Sequence, residues 1–152
     1  MQVDRQERAR RLRLVEAHMA AENAHDLDAI VATFSPQSMN SVNLTEVPGD
    51  PAVVRQAHID FGFGPTPGAL EGTQVLPERE HYTDGAIVIE GFVQGRHVGE
   101  FGGLPPSNEI ISLPYVAFYV FGEDDLLASE RVVLDTSRFG QVLLAQLPQG
   151  RM

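Results

Sequence analysis

The chain has 152 residues, 43% hydrophobic and 21% charged, a composition ordinary for one globular domain spanning residues 1–152. Its 11 basic and 21 acidic residues give a formal net charge of −10, which disfavours nucleic acid and anionic membranes as partners. The chain has no cysteine, and all its basic residues are arginine, so disulfides, thiolate nucleophiles and lysine imines are excluded.

Targeting signals are not visible in the sequence. The first residues are charged, and no apolar run approaches the length needed to cross a membrane. We therefore expect a cytoplasmic protein.

The first part of the chain carries helical patterns. Apolar residues at three- and four-residue spacing, such as Val15 and Met19, indicate one buried helix face. Asp26 and Asp50 each precede a further helical pattern and are typical helix caps. We predict helices over residues 4–23, 27–34 and 52–61.

Strand patterns fill most of the remainder. Residues 39–47 alternate loosely and predict a strand with Asn43 on its polar face. Asp84-Gly85 is typical of a tight hairpin turn between two later strands. We predict these later strands over residues 73–83, 86–97, 109–121 and 126–135, and a closing helix over residues 137–147.

This order of elements predicts the fold class. Helices gathered early and antiparallel strands gathered late favour an α+β domain, with a strongly curved sheet wrapped on the N-terminal helices. Such layers enclose a cone-shaped cavity that suits a small apolar or aromatic ligand. The glycine- and proline-rich loop over residues 62–72 is expected to fold over something rather than to hang in solvent.

Asp135 stands at the end of the last predicted strand, directly after Val132, Val133 and Leu134. An acid in this position has two interpretations. It either caps the closing helix, whose first residues follow at once, or works as a catalytic group in a pocket. The residues alone leave both interpretations open.

Several other side chains are candidates for the same site. His97 could polarise a substrate carbonyl or pass a proton, or be a partly exposed histidine at a strand end. Four further side chains are candidates for substrate contact, with core or surface roles as the alternative: His18, Asn43, Tyr115 and Tyr119. No HxH, HExxH or aspartate-rich loop is present, so we predict neither a metal site nor a cofactor.

Three segments carry a resemblance to a known family. Residues 15–34 resemble the opening of the SnoaL-like polyketide cyclases, residues 95–108 their glycine- and proline-rich signature, and residues 129–147 their closing strand and helix. These cyclases belong to the nuclear-transport-factor-2-like superfamily of cone-shaped α+β domains. The resemblance therefore implies that fold for most of the chain.

The resemblance also implies a reaction and a partner. Characterised cyclases close a ring by intramolecular aldol condensation without metal or cofactor, and Asp135 matches the position of their general base. A homodimer through the outer sheet face is expected by the same analogy. Isomerisation and dehydration need the same kinds of group and stay open, as does a non-catalytic ligand-binding or dimerisation module.

At two positions the chain differs from related enzymes, and these differences narrow the set of reactions that the resemblance allows. Val133 stands where the well-known cyclases have a histidine beside the acid. In the related epoxide hydrolases an arginine and a second aspartate stand where this chain has His97 and Gly99. Epoxide hydrolysis by that route is therefore disfavoured.

Overall fold

The computed structural model describes residues 3–148. The predicted domain span of residues 1–152 thus includes residues 1–2 and 149–152, which lie outside the described residues. Within this part of the chain the helices are α1 (Arg5–Ala24), α2 (Leu27–Ala32), α3 (Pro51–Phe61) and α4 (Ser137–Ala145). The strands are β1 (Met39–Val42), β2 (Thr45–Pro48), β3 (Leu70–Tyr82), β4 (Ala86–His97), β5 (Ile110–Phe121) and β6 (Leu127–Leu134).

The helix caps follow from the sequence. The side chain of Asp26 accepts a hydrogen bond from the Ala29 amide at 3.1 Å, which confirms it as the cap of α2. Asp50 does the same for α3 through the Ala52 amide at 2.9 Å, with proline at the first helical position. Gly62 ends α3 with a φ of 129°, and the position requires glycine because a Cβ would meet the Leu70 carbonyl oxygen at 2.4 Å.

One predicted strand is wrong. Residues 39–47 form not a single strand but a tight hairpin of β1 and β2, which turns at Asn43 and Leu44. Both residues have positive φ (47° and 69°), a conformation that asparagine tolerates and leucine rarely adopts. Asn43 is therefore a turn residue and does not lie on the polar face of a strand.

The six strands form one open sheet in the order β2-β1-β6-β5-β4-β3. All neighbouring pairs are antiparallel except β1 and β6, which pair in parallel. The sheet is curved and mixed, with α1 and α3 packed against it, and this confirms the predicted α+β architecture. No helix among residues 3–148 is both long and apolar enough to cross a membrane.

Strand alternation decides which side chains face the helices. On β5 the buried positions are Ile111, Leu113, Tyr115, Ala117 and Tyr119. Tyr119 is directly opposite Glu130 in the pairing of β5 with β6. Because opposite residues in an antiparallel pair point to the same face, Glu130 turns towards the helices as well.

Candidate functional site

A cavity of about 380 Å³ lies between the helices and the concave face of the sheet. Its wall is mainly apolar, with four phenylalanines among the lining residues: Phe34, Phe61, Phe63 and Phe101. The charged residues of the wall are acidic, and none is an arginine: Glu22, Asp60, Glu100 and Glu130. Such a cavity suits a small, largely apolar ligand without negative charge.

A buried polar cluster forms part of this cavity. His18 of α1 is completely buried, and its Nε2 lies 2.7 Å from Glu130 Oε2 and 3.1 Å from Glu22 Oε1. The Glu130 side chain is only 11% exposed. By distance His18 forms ion pairs with both glutamates, but His18 Nε2 and Glu130 Oε2 are not aligned for a hydrogen bond, and neither atom has a hydrogen-bond partner.

A hydrogen bond on the Nδ1 side of the His18 ring fixes its orientation. Its Nδ1 lies 2.9 Å from Thr33 Oγ1, and this hydroxyl donates its own hydrogen to the Ile30 carbonyl at 2.7 Å. The hydroxyl must therefore accept from His18, so the hydrogen bond requires a proton on Nδ1. This arrangement turns Nε2 towards the two carboxylates.

Burial and charge act against each other on these groups. Burial alone would lower the pKa of His18, but the charges of Glu130 and then Glu22 raise it to about 10. Burial alone would raise the pKa of Glu130, but the charge of the neighbouring His18 holds it below its usual value. At neutral pH the pair is thus an imidazolium beside a carboxylate.

Two tyrosines of β5 line the cavity beside this pair. The Tyr115 hydroxyl is buried and has no hydrogen-bond partner. The Tyr119 ring packs edge-on against His18, with ring centroids 5.6 Å apart. Burial raises the pKa of both phenols well above the usual value, so both keep their proton and are hydrogen-bond donors.

The structure places Asp135 away from this cavity. Asp135 instead lines a second groove, together with Glu78, Arg79 and Val133. Its side chain is 44% exposed, and Oδ1 accepts hydrogen bonds from the amide and hydroxyl of Ser137 at 3.2 and 2.5 Å. Thr136 is the N-cap residue of α4 and makes no side-chain cap bond, so Asp135 bonds the first amide of the helix from the position before the cap.

His97 is also outside the cavity wall. It is completely buried at the end of β4, where Nδ1 accepts a hydrogen bond from the Ser107 amide at 3.2 Å. Its ring packs edge-on against Phe139, with centroids 4.7 Å apart. Burial lowers the pKa of His97, and these contacts join β4 to the following loop and to α4.

The Asn43 side chain is bonded to the backbone and does not line the cavity, since its Oδ1 accepts a hydrogen bond from the Leu134 amide at 2.7 Å. The structure therefore brings Tyr115 and Tyr119 to the cavity wall, with His18 directly behind it. It leaves Asp135, His97 and Asn43 elsewhere. The roles assigned to all six from sequence stay predictions.

Sequence reasoning missed the polar residues that surround His18 at the cavity wall, namely Glu22, His58 and Glu130. A signal existed for two of them. Glu22 lies four residues after His18 on one helix face, and Glu130 shares a strand face with Val132 and Leu134. An acid among apolar residues on one strand face indicates a buried charge that needs a partner.

No protein-family model and no curated protein sequence matches the chain. Solved structures do match it. A protein from Jannaschia sp. CCS1 assigned to the SnoaL-like polyketide cyclases aligns with a TM-score of 0.76 and 17% identity, covering 92% of this chain and 94% of its own. AclR from Streptomyces galilaeus, assigned as a hydroxylase, aligns with a TM-score of 0.70 and 22% identity, covering 94% and 85%.

A third structural relative broadens the comparison. An NTF2-like protein of unknown function from Burkholderia pseudomallei K96243 aligns with a TM-score of 0.68 and 13% identity, covering 88% of this chain and 96% of its own. At these identities the likeness establishes the fold. The chain thus has the SnoaL-like, NTF2-like fold, which confirms at this level the resemblance found in the sequence. The fold hosts different activities, so function must be argued from the site.

Proposed function

We propose that this protein is an enzyme that moves a proton on an apolar carbonyl compound by general acid–base catalysis. Ring closure of the aldol type, isomerisation and dehydration all begin with such a step. The observation that carries the proposal is the pairing of two groups in the cavity wall. These are the Glu130 carboxylate, whose Oε2 has no aligned hydrogen bond, and the Tyr115 hydroxyl, which has no partner.

Glu130 is the proposed base. Its carboxylate takes a proton from the carbon next to the substrate carbonyl, and the electrons of the broken C–H bond pass to the carbonyl oxygen. His18 is a positioning residue, because it holds the carboxylate in place and keeps it ionised. The chain has no lysine, so the enolate must form directly and not through an imine.

Tyr115 is the proposed hydrogen-bond donor to the developing enolate oxygen. Its hydroxyl is already desolvated, and donors of this kind stabilise charge more strongly in an apolar site than in water. The wall supplies no arginine to bind a carboxylate or phosphate, so the proposed substrate is neutral. Two structures of the same fold are assigned as a cyclase and a hydroxylase, and both assignments are compatible with a proposed reaction on a small molecule.

Proton abstraction can be measured before the natural substrate is known. Aromatic ketones such as 2-tetralone are incubated with the protein in D₂O and a chelator, and loss of the hydrogens next to the carbonyl is followed by NMR. We expect Glu130→Gln to slow the catalysed exchange about 100-fold or more and Tyr115→Phe to slow it by a similar factor. Circular dichroism verifies that each variant is folded.

Glu90→Gln is the matched control, because Glu90 is a half-exposed glutamate that also contacts a histidine, His81. It should leave the exchange rate unchanged. Wild-type exchange in folded Glu130→Gln would overturn the assignment of the base. Ketone binding without accelerated exchange would favour the non-catalytic ligand-binding module instead.

A further inference from the structure

Three side chains of the types that bind transition metals meet at the buried cluster. His18 comes from α1, His58 from α3 and Glu130 from β6, and one ligand atom of each lies within 4.8 Å of the other two. Two imidazoles and one carboxylate are a common ligand set for first-row divalent ions. The three residues are 40 and 72 positions apart in sequence (58 − 18 and 130 − 58), so no short motif reveals them.

Both imidazoles are oriented as metal ligands usually are. A metal-bound histidine commonly donates its second ring N–H to a protein oxygen, which fixes the ring. His58 Nδ1 lies 2.7 Å from the Val54 carbonyl oxygen and must donate to it, and His18 Nδ1 donates to the Thr33 hydroxyl. In both rings Nε2 is the nitrogen that faces the cluster, and on His18 a bound ion would replace the proton that Nε2 carries beside Glu130.

Two buried polar atoms of this cluster lack a hydrogen bond. His18 Nε2 and Glu130 Oε2 are both buried and 2.7 Å apart, yet neither has an aligned hydrogen bond. Neighbouring ligand atoms around an ion at about 2.1 Å lie roughly 3 Å apart in octahedral geometry and roughly 3.4 Å apart in tetrahedral geometry. The contacts of His18 Nε2 to Glu130 at 2.7 Å and to Glu22 at 3.1 Å lie nearest the octahedral spacing.

We propose that His18, His58 and Glu130 form a binding site for a first-row divalent metal ion, with Glu22 near enough to be a fourth ligand. The acidic wall of the cavity, with no arginine in it, favours a cation at this position. Because His58, Glu22 and Glu130 line the cavity, an ion bound there would be reachable by a small ligand.

This inference goes beyond the proposed function and does not rest on it. A bound ion would occupy Glu130 Oε2, so the exchange assay is run with chelator and the binding assay without substrate. Failure of one proposal is then distinguishable from failure of the other.

The test is calorimetric titration of chelator-treated, tag-free protein with Zn²⁺, supported by the visible absorption of bound Co²⁺. We expect one ion per chain. His58→Gln should weaken binding by at least about 10- to 100-fold, the loss that even outer-shell substitutions produce. Thr33→Val keeps all ligands and removes only the orientation of His18, so a loss of about 10- to 100-fold is expected there too.

His81→Gln is the control, because His81 also lies against a glutamate but at an exposed position. It should leave the dissociation constant unchanged. His58 is only partly buried, so His58→Gln is less prone to misfold than a change at His18, and circular dichroism checks it. Absence of one-to-one uptake by the wild type, or uptake that survives in folded His58→Gln, would overturn the proposal.

Discussion

A substitution of Asp135 tests whether this residue stabilises the start of α4 or acts as a general base. In the structure its Oδ1 accepts from the Ser137 amide at 3.2 Å at the start of α4, and the side chain is 44% exposed. A side-chain oxygen that satisfies a helix-terminal amide contributes about 1 kcal/mol, and its charge near the helix start adds about 0.3–1 kcal/mol before solvent screening. Because the group is nearly half exposed, we expect Asp135→Ala to lower the free energy of unfolding by about 1 kcal/mol.

For a chain of this size, that loss corresponds to a fall in Tm of about 2–4 °C. Asp135→Asn keeps an acceptor oxygen and loses only the charge, so its Tm should fall less. Both variants should retain the wild-type rate of ketone hydrogen exchange. Thermal unfolding by circular dichroism and exchange by NMR measure the two quantities. Loss of exchange in Asp135→Asn with an unchanged Tm would refute this reasoning and support Asp135 as the general base predicted from sequence.

Two further predictions concern pH and assembly. Burial lowers the pKa of His97 below its ordinary 6.5, so the unfolded chain binds more protons and stability should fall as pH drops through 6.5 towards the folded-state pKa. Urea unfolding between pH 5 and 8 should show a shallower fall in His97→Gln, and parallel curves would contradict it. A homodimer through the outer sheet face is the second expectation, since Phe118 and Val133 are 42% and 48% exposed. Light scattering should give a dimer that Val133→Arg dissociates, whereas a monomeric wild type would count against this interface.

The extent to which sequence predicts this fold depends on how regular each local pattern is. The strand over residues 86–97 was predicted to the residue, because its alternating apolar positions are the ones that the sheet buries. The helix caps Asp26 and Asp50 were predicted for a similar local reason. The hairpin at residues 39–48 was missed because its turn is made by Asn43 and Leu44, without the glycine that normally marks such a turn.

The candidate site was less predictable because tertiary packing assembles it. His18 and Glu130 are 112 residues apart (130 − 18), and only the packing of α1 against the sheet brings them together. His58 joins them from a third element. Sequence spacing contains no trace of such a contact, whereas it does contain the i,i+4 relation of His18 and Glu22.

Strand alternation decides whether Glu130 or Asp135 is the better candidate for the general base. Glu130 lies on β6 and Asp135 directly follows its last residue, five positions later, so a regular strand extended to Asp135 would point the two side chains to opposite faces. Leu134 and Val132 line the cavity, and Glu130 continues their series, whereas Asp135 continues that of Val133. An acid that follows an apolar strand can stay in water at little cost. An acid among the inward-facing residues loses its hydration and needs a partner of opposite charge to compensate for that loss. In this chain the compensated acid is Glu130, and its position in the cavity wall makes it a better candidate for a general base than Asp135.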